Sequence, residues 1–220
     1  FSYDSGFEFS GSAPQVTGDK FPSLVKNLTV NNPTGLTLSG AIELSSDLNF
    51  WAGNITLGSN DLVLGNSVSV NGSVGTDKMI VATGSGKLRR KFSSTGEFTF
   101  PVGDGTNYTP VTLDFSSGNF DENTYADVRV TAAAHPERNT GNLNYLKRYW
   151  TIGSNVTAPV CIVSIKYGDG DIEGEESNFV LGRWTGTKWE QTTFISRDIS
   201  SNIITASTTG FSDFTAGEEG

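Results

Sequence analysis

Residues 27–70 read NLTVNNPTGLTLSGAIELSSDLNFWAGNITLGSNDLVLGNSVSV. Apolar residues recur there two apart: Leu28/Val30, Leu36/Leu38, Ile42/Leu44, Leu48/Phe50, Ile55/Leu57, Leu62/Leu64 and Val68/Val70. Each pair reads as a short strand with one apolar face. Gly, Asn, Ser or Asp separates one pair from the next, as turns require. The pairs themselves repeat. Leu28, Leu48 and Val68 are 20 residues apart, as are Ile42 and Leu62; Leu36, Ile55 and Val74 step by 19. Upstream, Phe7 and Phe9 lie 21 residues before Leu28 and Val30, Val16 lies 20 before Leu36, and Phe21 lies 21 before Ile42. A repeat of this length holding three short strands is one coil of a three-sided parallel β-helix. The spacing predicts internal ladders, with Leu28, Leu48 and Val68 stacked in one wall and Ile42 on Leu62. The competing arrangement is an antiparallel sandwich, whose strands recur about every 8–12 residues. Here they recur every 6 to 8 and in threes, which favours the helix.

Working outward, residues 1–24 read as an incomplete first coil, and Leu88, 20 residues after Val68, as part of a last one. The expected β-helix covers residues 1–96 in about four coils, with the joint at SSTG, residues 93–96. From Phe98 the strands lengthen and spread: FTFPVG, VTLDF, YADVRVTAA, LKRYWTI, VCIVSIKY, NFVLGRW, KWEQTTF, NIITAST and FSDFTAG. Their loops are too short for crossover helices, so residues 97–217 are expected to form an antiparallel β-sandwich. Trp184 and Trp189 flank TGTK and should face each other across a hairpin. The fold class is therefore all-β.

The totals narrow the function. A chain of 220 residues can bury a real core. Its net charge of −9 argues against nucleic acid, whose binders carry a basic face. The one basic run, Lys87, Arg89, Arg90 and Lys91, reads as a solvated rim at the end of the β-helix. The single cysteine, Cys161, shares a strand face with Val163 and Ile165 and reads as a small buried hydrophobe. No apolar run has the length of a membrane span. The one methionine is Met79, so the chain is expected to begin inside a longer product.

Seven segments carry a resemblance: FEFSGSAPQVTG, NLTVNNPTGLTLSG, KFSSTGEFTFPVGDGTNYTPVTLDF, LKRYWTIG, YGDGDIEGEE, GRWTGTKWE and GFSDFTAG. Their ordered set resembles one found in large secreted and cell-surface proteins of Bacteroidetes, which usually carry a C-terminal type IX secretion sorting domain. The resemblance implies an exported, adhesin-like protein built of repeats, attached to or released from the cell surface. It brings no catalytic residues. The chain departs from it at Gly220, where such proteins usually run on into the sorting domain.

Candidate chemistry is sparse. His135 is the sole histidine, and no nucleophile elbow accompanies it, so it reads as a loop residue. Glu43 and Asp61 fall near one side a coil apart; as exposed acids on turns they read as solvation rather than as a glycosidase pair. Trp51 should point outward and Trp150 inward. The sharpest local feature is Asp169-Gly-Asp171-Ile-Glu173-Gly-Glu175-Glu176. Asp169, Asp171 and Glu173 match positions one, three and five of a calcium loop, with Gly174 at the turn position. Position twelve is Val180, so a true EF-hand is excluded. A calcium site on these oxygens stays open beside a solvated acidic turn, with Arg183 or Lys166 as the alternative counter-charge. The sequence thus points to a non-catalytic, extracellular structural or adhesive segment whose partner is a glycan or protein. The competing class is a carbohydrate-binding module, or the non-catalytic part of a polysaccharide-degrading enzyme.

Overall fold

A computed structural model describes residues 5–218. The first four residues of the expected opening coil lie outside that range.

Parallel coils form the N-terminal part. One wall stacks Gln15–Val16, Leu36–Thr37, Ile55–Thr56, Ile80–Val81 and Val102–Gly103, all parallel. A second stacks Gly6–Ser10, the Asn27–Asn31 half of strand Leu24–Asn31, the C-terminal half of Ile42–Ala52, and Ser69–Asn71. The third stacks Ile42–Leu44, Leu62–Leu64 and Leu88–Arg90. Strand Leu24–Asn31 runs through two walls and bends where its register shifts between Val25 and Asn27. The solenoid is therefore three-sided, and five strands in the first wall give it five turns where about four were expected.

The ladders follow the sequence through the first turns and then slip. Phe7, Leu28 and Leu48 are consecutive partners, as are Ile42, Leu62 and Leu88. Leu48 then meets Val70, not Val68, and Ile55 meets Ile80, not Val74. The physical cause is corner length. Asp47 bonds back to Asn27 across 20 residues, Asn60 to Leu38 across 22, Met79 to Asn54 across 25, and Lys87 to Asp61 across 26. The later turns insert residues at corners, where the chain runs over the surface and tolerates them. Val68 remains buried beside the ladder rather than in it. Likewise Gln15, not Val16, pairs with Leu36, and Val16 is exposed.

Corner chemistry is specific. Asn32 is fully buried; its Nδ2 donates to the Ala13 carbonyl at 2.7 Å and to Gln15 Oε1 at 2.9 Å, while its Oδ1 accepts from the Thr34 N–H. Gly53 has φ +85°, and a Cβ there would sit 1.8 Å from the Asn32 carbonyl oxygen, so no other residue fits where successive turns touch.

The antiparallel part grows from the last coil. Leu88–Lys91 pairs parallel with Leu62–Leu64 on one edge and antiparallel with Tyr125–Thr131 on the other. Tyr149–Ser154, Asp213–Gly217 and Val180–Trp184 continue that sheet. A second antiparallel sheet contains Gly96–Phe100, Val111–Asn119, Thr157–Lys166, Ile203–Thr208 and Thr193–Asp198. Trp150, Phe115, Phe179 and Phe214 are fully buried in a core that also contains the solenoid ladders. Cys161 is buried and Trp51 is 60% exposed, as the strand parity predicts.

The basic run is not a solvated rim. It belongs to the strand that joins the two pairing modes, and its side chains are partnered. Lys87 and Arg89 hold Asp127, Lys91 holds Glu43, and Arg90 donates to the carbonyls of Asn66 and Val68.

Candidate functional site

The acidic run folds into a 3-10 turn, Asp169–Asp171, and a short strand, Ile172–Glu173. Its carboxylates go separate ways. Asp171 is buried; one of its oxygens accepts from Arg148 Nε at 2.7 Å and from the Gly168 N–H at 2.8 Å. Asp169 accepts from Asn202 Nδ2 at 2.6 Å. Glu173 pairs with Lys147 at 3.0 Å, and Glu176 accepts from the Tyr167 hydroxyl at 2.8 Å. Gly174 makes the expected turn, with φ +72°. The counter-charges are Lys147 and Arg148; Arg183 instead pairs with Glu190. Among the described residues no group of three or more His, Cys, Asp or Glu is arranged to hold a metal ion. Calcium at Asp169, Asp171 and Glu173 therefore finds no support in the geometry.

The Arg148 guanidinium, itself buried, also reaches Asp104 at 2.7 Å. Burial pushes the Asp104 carboxyl up. Hydrogen bonds from the Asn107 backbone and amide, from Arg148 and from the Thr106 N–H outweigh it and hold the group well below the usual carboxylate range. This cluster ties the loop after the last solenoid strand to the acidic turn.

Glu43 and Asp61 do not form a free acid pair. Glu43 faces Lys91, and Asp61 accepts from the Lys87 N–H at 2.9 Å. His135 is a loop residue, but a buried one. Its Nδ1 accepts from the Glu137 N–H, so Nε2 carries the proton towards Asp213, 3.2 Å away. Tyr149, Trp184 and Trp189 surround the ring with centroids at 4.8, 5.8 and 4.8 Å. Trp184 and Trp189 are cross-strand partners as expected, 5.4 Å apart.

Beside this aromatic group lies a cleft of about 430 Å3. Its floor is one sheet face. Gly182 is opposite both Thr215 and Gln191, and Gly217 is opposite both Val180 and Tyr145. Directly opposed residues share a face, so Gly182 and Gly217 lie diagonally on one face, where the Trp189 indole packs over Gly182 and Tyr145 stands beside Gly217. Trp189 rises on one flank. On the other stands Tyr145, with the Arg138 guanidinium stacked 4.1 Å over its ring. The loop from His135 to Asn142 holds this arrangement. The Trp189 indole N–H donates to the Glu137 carbonyl at 2.7 Å, and Asn142 Nδ2 donates to the Glu218 carbonyl at 2.6 Å.

Nothing in the sequence pattern singled out Arg138, Tyr145, Gly182 or Gly217. The one available signal was the Trp184/Trp189 hairpin, which marks a flank of the cleft. Comparison with protein-family models, with curated proteins and with solved structures returns no match.

Proposed function

We propose that this chain is a non-catalytic structural and adhesive segment of an exported bacterial cell-surface protein, of the kind secreted by the type IX route. One observation carries the reading. The strand Leu88–Lys91 belongs at once to the parallel stack and to the antiparallel sheet, so coils and sandwich share a continuous ladder of backbone hydrogen bonds. A body built this way resists bending at the joint, which suits a stalk that presents a distal surface. The commitment of polar side chains points the same way. The histidine, the basic run and most of the acidic turn are engaged in bonds that hold loops and turns in place.

The test is surface labelling. An antibody to an epitope tag on this segment should stain intact cells of the bacterium that carries it, and protease added outside should remove the stain. Signal only after lysis would overturn export. Turnover of a polysaccharide by the purified chain, abolished by one Asp or Glu substitution, would overturn the non-catalytic reading.

A further inference from the structure

We propose that the cleft between Trp189 and Tyr145 is a binding site for a neutral saccharide; this rests on the adhesive reading and names its ligand class. The volume of about 430 Å3 falls within the range of small-ligand clefts, roughly 300–1,000 Å3. An aromatic ring lines each flank, Trp189 packed over Gly182 on one side and Tyr145 beside Gly217 on the other. A pyranose ring has that complementary form: apolar C–H faces that lie against aromatic rings and an equator of hydroxyls.

The polar groups select the class. Among the described residues, Arg138 forms no ion pair, its guanidinium is held by Tyr145, and its side chain donates to no protein acceptor. Asn139 uses its Oδ1 on the Gly141 N–H, which fixes the amide and leaves Nδ2 to donate. Two carboxylates also line the cleft, and both are already held, Glu190 by Arg183 and Lys188 and Glu218 by Asn144 and Asn178. Fixed acceptors beside fixed donors match vicinal hydroxyls, each of which gives one hydrogen bond and accepts others. A polyanionic ligand, whether acidic glycan or nucleotide, would meet those carboxylates and a chain of net charge −9. An extended peptide finds no free edge in the floor, because Val180–Trp184 and Asp213–Gly217 are paired with each other throughout.

The experiment titrates the full chain, by calorimetry and tryptophan fluorescence, with neutral gluco-, manno-, galacto- and xylo-oligosaccharides, alongside polygalacturonate and an unstructured peptide. One neutral series should bind saturably. Arg138→Ala and Asn139→Ala should each weaken it by at least about fivefold, equivalent to roughly 1 kcal/mol, with unchanged thermal unfolding. Trp189→Phe should abolish the fluorescence response while retaining measurable heat. Trp189→Ala loses an indole that also packs on His135, so the two milder variants decide the matter if it fails to fold. The proposal is overturned if no neutral saccharide binds at about 10 mM. Binding indifferent to Arg138 and Asn139, or confined to polygalacturonate or the peptide, overturns it as well. Surface staining separates the two ideas. A stained cell whose protein binds no sugar sinks the site alone, and sugar binding by a protein never exposed sinks the adhesive reading alone.

Discussion

Asp127 lies directly opposite Arg89 where parallel stacking gives way to antiparallel pairing, and their side chains meet at 2.8 Å. Lys87 reaches the other oxygen of the same carboxylate at 3.0 Å. The carboxylate is buried while both cations keep about a third of their surface in water. A buried acid at a sheet junction is costly unless paired, and here two cations from the last coil pair it. Gly153 leaves room for it, since a Cβ there would stand 2.4 Å from Asp127 Oδ1. Removing one partner of a buried pair costs about 3–5 kcal/mol. Because Arg89 and Lys87 can regain water, Asp127→Ala should cost about 2–3 kcal/mol, and Asp127→Asn less. Denaturant titration measures both, and a free Asp127→Ala substitution would show that the junction does not depend on this pair.

Leu48 stands between Leu28 and Val70 in the internal ladder and is fully buried. Leu48→Ala should cost about 2–5 kcal/mol, the range for a leucine cavity in a packed core. In a chain of this size each kcal/mol lowers the melting temperature by about 2–4 °C. Val16→Ala, at an exposed position on the first turn, should change it little. Equal effects of the two substitutions would contradict the register.

Acid should destabilise the chain partly through Asp104. Its folded carboxyl titrates below the ordinary value, so its contribution is complete above that value and is lost as pH falls towards the folded one. Stability should therefore hold down to about pH 4, near the unperturbed aspartate value, and drop below it. In Asp104→Asn the drop between about pH 4 and pH 2 should be shallower. Melting curves with the same slope in both proteins would remove Asp104 from the account.

Burial pushes the Cys161 thiol up to about 12. At neutral pH the thiolate is then negligible, and the side chain has no exposed surface. A thiol-specific reagent should leave the native chain unmodified and label one equivalent after denaturation. Labelling in the native state at a rate independent of denaturant would contradict the packing of strand Thr157–Lys166.

Calcium should be without effect on stability. Asp171 gives its inward oxygen to Arg148 and Gly168, and Asp169 and Glu173 have separate partners. Thermal unfolding in millimolar calcium and in chelator should superimpose, because an ion bound to the native state alone must raise the apparent melting temperature. A calcium-dependent rise that disappears in Asp169→Asn would restore the metal site.

The fold was legible because burial alternates with period two and the first turns keep a constant length. Leu28 on Leu48 and Ile42 on Leu62 follow from counting residues. Val70 in place of Val68, and Ile80 in place of Val74, do not, because a fixed period cannot register residues added at a corner. The Trp184/Trp189 pair was readable because a four-residue loop fixes hairpin register. The cleft was not, since its walls come from Tyr145, Trp189 and a loop around Arg138 that only long-range pairing assembles. The acidic turn was legible only as a spacing, for a related reason. Spacing displayed its carboxylates together, while the partners that separate them, Arg148, Lys147 and Asn202, are remote in the chain.

The switch at Leu88–Lys91 makes the number of coils and the shape of the cleft separable. Each turn stacks on the one before through equivalent ladder positions, so duplicating a unit such as residues 32–51 would add one strand per wall and shift everything beyond it by about 4.8 Å. The antiparallel sheets and the cleft would be carried along, since among the described residues they join the coils through the strand at 88–91, backed by the Val130 N–H donating to the Ala82 carbonyl at 2.8 Å. Length in such a protein can be tuned in increments of a single coil, with the antiparallel end held constant.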